Sequence, residues 1–435
     1  MQALLSYDRS PPIAAPFRFF LTAPFFGVAA GVLLVVSGQN VFLSRWTPEA
    51  LALTHLITVG FMLQVMLGAL VQVLPVVAGA NLHQPSRIAA MVHLLITAGA
   101  LSLTAAFLSF RPSLFILASL SFIAGGGLFI VASAWAIRGV PATGPTIGGL
   151  KVAVGGLTVT VALGALMAFG LAGWVDLPLL LLADVHLGWG FGVWSLCLLA
   201  AVAYVVVPMF QITPAYPAAV KRLIPFVLCA TLGWSLLASA GFDAVANGVA
   251  LALVAAGALF AGLTLDLQRR SKRARFDTNQ QCWRVGMISL LAAAVAWAMP
   301  VLFPDMAVWP GWSVLCAVLL AYGGFVSVIN GMLYKIVPFL VWLHLQNLGR
   351  GIVMAPNMKK VIDERAMHRQ MLAHFLTLGL LIAAVFLPEA MSLPAGFAMI
   401  VSQSWLGFNL WTAVRLFRAW RNKIDKLAEA GASLK

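Results

Sequence analysis

Four histidines, His55, His93, His186 and His374, sit one to two turns inside long apolar runs of this chain. An ionisable side chain in lipid is costly and usually functional. Neutral imidazole is a strong ligand for haem iron and for copper, provided that its second nitrogen is oriented by an acceptor. The four form two pairs. His55 and His186 open the second and sixth apolar runs at one side of the membrane, and His93 and His374 open the third and eleventh at the other. For a single histidine the competing reading is an interhelical hydrogen bond, worth about 0.6–2 kcal/mol. Four histidines at matching depths favour metal or haem ligation. Asp184 and Thr54 are neighbours that could orient His186 and His55, although positions one or two apart do not share a helix face. His83, His344 and His368 fall in or beside loops and read as solvated.

The elements that must carry these side chains follow from composition. Of 435 residues, 62% are apolar and only 9% are charged, against about 25% charged in an ordinary soluble domain. Mean hydropathy is +0.98. Apolar runs of more than about 20 residues, each long enough to cross a hydrocarbon core of about 30 Å as a helix, recur almost to the end of the chain. A soluble globular enzyme, a disordered chain and a nucleic-acid-binding domain are excluded. The reading is an all-α polytopic membrane bundle of about twelve transmembrane helices, a single membrane domain over 17–419 between an N-terminal segment 1–16 and a basic tail 420–435. The expected spans are 17–40, 51–79, 88–109, 113–136, 148–174, 178–210, 222–241, 246–266, 284–304, 309–342, 370–388 and 394–419. Four scattered cysteines form no CxxC spacing and imply neither a disulfide framework nor a zinc ribbon. Most of the 14 tryptophans, such as Trp46, Trp174, Trp309, Trp312 and Trp342, read as interface anchors. The methionines form no cluster of the kind that carries copper.

A net charge of +14 has its explanation in topology. With a cytoplasmic N-terminus, every Lys and Arg except Arg45, Arg111 and the intramembrane Lys335 falls on the cytoplasmic side. Arg9, Arg18, Arg87, Arg138, Lys151, Lys221 and Arg222 do so, as do the basic residues of 267–284, of 343–369 and of the tail. This positive-inside bias predicts a multi-pass bacterial inner-membrane protein with both termini cytoplasmic. It makes the anionic bilayer surface the partner of these charges, at about 1 kcal/mol per residue. It also puts His55 and His186 at the outer side and His93 and His374 at the inner side.

The second, sixth and tenth spans are the longest, and each pairs a Gly-Phe step with a proline further on: Gly60-Phe61 with Pro75, Gly190-Phe191 with Pro208, Gly324-Phe325 with Pro338. The spacing describes a pseudo-three-fold repeat of four helices, and repeat interfaces often hold binding sites. The repeat lacks each histidine once: near Leu319 in the tenth span for His55, and at Pro225 or Phe226 in the seventh for His93. Lys335, whose repeat counterparts are Gln72 and Val205, is expected to snorkel or to make a structural pairing. A haem-propionate contact or a place on a proton path are the alternatives.

Twelve helices in a three-fold repeat, with histidines opening the second and sixth, resemble subunit I of the haem–copper oxidase superfamily, and among its divergent members the NnrS-type proteins. The residues that carry the likeness are Pro16-Phe-Arg-Phe-Phe20, His55-x4-Gly60-Phe61, Gly68-Ala69 and Leu74-Pro75-x3-Gly79. The resemblance implies that His55 is an axial ligand of a low-spin haem, and that His186 holds the place of a copper ligand. Departures are equally plain. Gly190 stands four residues after His186, the seventh span has no His-His pair and the tenth has no histidine. The usual oxygen-reducing site cannot be assembled from these residues. What the resemblance implies is haem b, with copper as a further candidate, and an association with nitric oxide tolerance.

The leading expectation is a haem-binding membrane protein in electron transfer or nitric oxide handling. His55 and His186 would serve an outer site, His93 and His374 an inner one. It would work with a respiratory electron donor, alone or as a homo-oligomer. Two alternatives stand beside it: a twelve-helix transporter whose histidines and Lys335 line a path, and a non-catalytic membrane partner of a respiratory complex.

Overall fold

A computed structural model describes residues 10–141, 144–349 and 353–432; Arg9, Arg350, Lys435 and most of the N-terminal segment lie outside them. The described residues form helices and short connections with no β-strand. Eleven helices are long and apolar enough to cross a bilayer. They are α1 (Ala14–Ser37), α2 (Pro48–Val77), α3 (Pro85–Ser109), α4 (Pro112–Ile137), α5 (Pro145–Leu171) and α6 (Leu179–Gln211), followed by α7 (Ala218–Ser239), α8 (Asp243–Arg269), α9 (Thr278–Leu302), α10 (Gly311–Leu348) and α11 (Glu364–Phe386). Proline at the first turn sets the start of α2, α3, α4 and α5, where its missing N–H costs nothing. The side chains of Thr47, Asp277 and Asp363 cap α2, α9 and α11 by accepting from Ala50, Gln280 and Ala366 N–H.

The last helix, α12 (Pro388–Ala432), runs for 45 residues, about 68 Å at 1.5 Å per residue. It is less apolar than the other eleven because its second half is charged from Arg415 onward and because Ser402, Gln403 and Asn409 interrupt its first. All three are buried against the bundle and turned away from lipid. It lies antiparallel along α1 through small residues. A Cβ on Gly27 would meet Gln403, one on Gly31 would meet Ile400, and one on Gly396 would meet Val35. This glycine-lined seam, the close approach favoured between membrane helices, packs α12 against α1 and closes the bundle on itself. α12 continues past 419 as far as Ala432, and Ile424 is buried.

The three longest helices among the first eleven, α2, α6 and α10, have 30, 33 and 38 residues. Each contains a π-helical stretch: Leu56–Leu63, Gly188–Leu196 and Val318–Val326. Every stretch holds the Gly-Phe step of its repeat, so the same departure from α-geometry returns at every fourth helix. The π stretch of α10 touches that of α2. It also meets that of α6 through Phe191 and Phe325, whose rings lie 5.7 Å apart. Glycine has a specific task at two of these steps. A Cβ on Gly60 would collide with the Phe26 ring, and one on Gly324 would lie 2.7 Å from Leu290 Cδ2. The most enclosed helices are central: 78% of the apolar stretch of α2 and 61% of that of α10 are buried, against 22% for α7.

Candidate functional site

The structure separates the four histidines into two settings. The bundle has a near face, where α1 begins, and a far face opposite. His55 is the last α-helical residue of α2 before its π stretch, and His186 stands two residues before the π stretch of α6. Both are on the far-face half. The π onset therefore aligns the two histidines within one residue. In α10 it falls after Ala317, with Cys316 before it, so the third repeat's counterpart is there and not at Leu319.

His55 Nδ1 lies 2.8 Å from the Leu51 carbonyl oxygen. A carbonyl only accepts, so Nδ1 carries the proton and Nε2 presents its lone pair. That is the orientation by which backbone carbonyls hold ligand histidines. The ring is backed by Phe107 at 5.1 Å. His186 packs over Gly164, where a Cβ would lie 3.0 Å from its ring. Its buried Nδ1 makes no hydrogen bond of good geometry, although the ring interacts with the Thr160 backbone of α5. The neighbours picked out in the sequence do not orient them. Asp184 pairs with Arg45 at 2.9 Å, and Thr54 is exposed.

His93 and His374 are held differently. His93 Nε2 lies 2.8 Å from Thr22 Oγ1, and the ring meets Phe19 edge-on. His374 is fully buried, with Nε2 2.7 Å from Ser327 Oγ and the Tyr322 ring tilted against it at 4.8 Å. His93 thus belongs to the seam between α1 and α3, and His374 to that between α10 and α11. Each shares its Nε2 with a hydroxyl, and neither touches the other. Among the described residues, no three His, Cys, Asp or Glu side chains converge as a metal ion would need.

His83 and His368 are not buried, as expected, whereas His344 is not simply solvated. Its two ring nitrogens face the Leu340 and Pro11 carbonyls at 2.9 and 3.1 Å, tying the start of the chain to the end of α10. Lys335 makes a structural pairing. Its ammonium lies 2.7 Å from Asp277, which also takes Arg273 at 2.9 Å.

The most polar part of the interior went unread in the sequence. Asn409 donates to Tyr334 Oη (2.9 Å), Tyr334 donates to Gln370 Oε1 (2.9 Å), and Gln370 donates to the Ser402 carbonyl (3.2 Å), joining α10, α11 and α12. Nearby in the same repeat, both amide atoms of Gln280 and of Asn330 are buried without a partner, as is His374 Nδ1. The signal of this region in the sequence is a set of uncharged amides inside apolar runs. No protein-family model matches this chain. No curated protein matches it either.

Proposed function

We propose that this is a haem-binding protein of a bacterial inner membrane, both termini cytoplasmic, with His55 and His186 as the two axial ligands. The observation that carries the reading is the pair itself. Two histidines from repeat-related helices stand at the onset of matching π stretches on the far-face half, one with its Nδ1 held by the Leu51 carbonyl so that Nε2 is left free, the other with a buried Nδ1 that makes no hydrogen bond of good geometry. π segments inside α-helices are frequent at functional sites. Haem needs only two protein ligands, which this pair would supply. A copper centre built from three or more side chains finds no such group among the described residues. Bound there, haem would carry single electrons. The resemblance to NnrS-type proteins supports a role in electron transfer or nitric oxide handling, and the crowding of Lys and Arg at the near face supports the orientation.

The protein's own contribution is to fix the ligands. The Leu51 carbonyl sets the tautomer of His55, Phe107 sets its ring plane, and Gly164 leaves room for the His186 ring. His93 and His374 act as interhelical hydrogen bonds in this reading. Protein purified from haem-sufficient cells is expected to contain iron and extractable haem b in a constant ratio to the chain. Metal-free, colourless protein overturns the proposal.

A second reading, transport, is favoured by one observation: the buried, unpartnered amides of Gln280 and Asn330 inside the last repeat. Unsatisfied polar groups in a membrane interior are expensive and suit a water-filled or substrate-lined path. Substrate-dependent flux into proteoliposomes, lost in Asn330→Leu, would establish it.

A further inference from the structure

Where α8 passes into α9 on the near face, a cavity of about 580 Å³ opens beside Arg275, Phe276, Gln281, Arg284 and Phe375. A smaller hollow shares Phe276 and Arg284 with it and adds Arg269. We propose that this groove binds one acidic phospholipid, its phosphate held by Arg269, Arg275 and Arg284 and its acyl chain lying along Ile288 and Phe375.

Three observations carry the assignment. The first is charge. Among the described residues none of the three guanidiniums meets a carboxylate, because Asp266 is taken by Arg270, and Asp277 by Arg273 and Lys335. Three arginines line these two adjoining hollows, Arg284 in both, with their charge unanswered, and a phosphate is their natural bidentate partner. The second is rigidity. The connection is tied to the end of α6, with Lys272 N–H donating to the Ile212 carbonyl (3.1 Å), Ser271 to that of Gln211 (2.6 Å) and Arg273 to that of Phe210 (2.7 Å). Arg284 is held over the Phe276 ring at 5.7 Å. The third is depth. Arg284 lies six residues inside α9, about 9 Å along the axis, and Ile288, one turn deeper, is 50% exposed. A free phosphate would need only the arginines. The continuation of the groove into apolar wall selects an amphiphile, and basic pockets between membrane helices on the cytoplasmic side are suited to such headgroups.

The test is thermal unfolding of the detergent-purified full chain, titrated with phosphatidylglycerol, phosphatidylcholine or inorganic phosphate. Phosphatidylglycerol is expected to raise the melting temperature saturably, with the other two having little effect. In Arg275→Gln/Arg284→Gln the half-saturating concentration should rise by at least about tenfold. The control Arg365→Gln/Arg369→Gln, on the same face, should respond as the parent does. Equal responses to phosphatidylcholine, a full response to phosphate alone, or equal loss in the control would each overturn the proposal. Should the double variant not yield monodisperse protein, Ile288→Asn tests the acyl wall instead. A phosphatidylglycerol response unchanged in that variant also counts against the site.

Discussion

Lys335 Nζ lies 2.7 Å from Asp277 Oδ2, so the ammonium within the inner half of α10 is neutralised by the residue that caps the preceding helix, α9. Arg273 shares the same carboxylate at 2.9 Å. Asp277→Asn keeps an N-cap but strands both cations. It is expected to lower unfolding stability by about 1–3 kcal/mol. Lys335→Met leaves Asp277 its arginine and its cap, and should cost less. A double-mutant cycle read by thermal unfolding should return a coupling of at least about 0.5 kcal/mol. Strict additivity would mean that the pair contributes nothing.

The π stretches depend on close approach at their glycines. Gly60→Ala drives a methyl into Phe26, and Gly324→Ala drives one into Leu290. Each should destabilise by about 1–3 kcal/mol, the usual cost of overpacking. Gly379→Ala, on α11, meets open space. It should be neutral or stabilising by up to about 1 kcal/mol. Melting temperatures of the three variants decide the matter, and equal effects would contradict the packing described for α2 and α10.

Much of this organisation was legible in the sequence because it is written in large signals. Apolar runs of membrane-spanning length give the helices, and the Gly-Phe steps mark the long ones. What period and composition could not convey is that those steps sit in π geometry, since a π turn changes the hydrogen-bond register without changing the residues. A twelfth crossing over 394–419 was expected, but eleven helices are long and apolar enough to span, and in α12 Gln403 and Asn409 dilute the apolar signal. Only their burial against α1 and the neighbouring helices shows why they are tolerated. Among the histidines, depth in the span was readable, whereas the partner was not. Leu51, Thr22 and Ser327 are ordinary residues whose roles arise from packing. Asp184, a neighbour that could have oriented His186 but for its place two residues away on the helix, is the partner of Arg45, far earlier in the chain, across a loop no local pattern connects.

The antiparallel contact of α1 with α12 makes a direct chemical prediction. Val35 and Gly396 approach so closely that a Cβ on Gly396 lies 2.7 Å from Val35 Cγ2. In a chain with Cys197, Cys229, Cys282 and Cys316 replaced by Ser, the pair Val35→Cys/Gly396→Cys should cross-link under mild oxidation in native membranes. The two single variants should not. Failure of the double variant to cross-link would argue against α12 as the helix that closes the bundle.

The central claim concerns His55 and His186, and a reduced-minus-oxidised absorption spectrum of the detergent-purified protein tests it most directly. The parent chain is expected to give a b-type difference spectrum. His55→Ala and His186→Ala should each abolish or shift it, while His93→Ala and His374→Ala should keep it and lose only stability. A parent protein with no haem signal, or a signal that survives loss of both His55 and His186, would contradict the account.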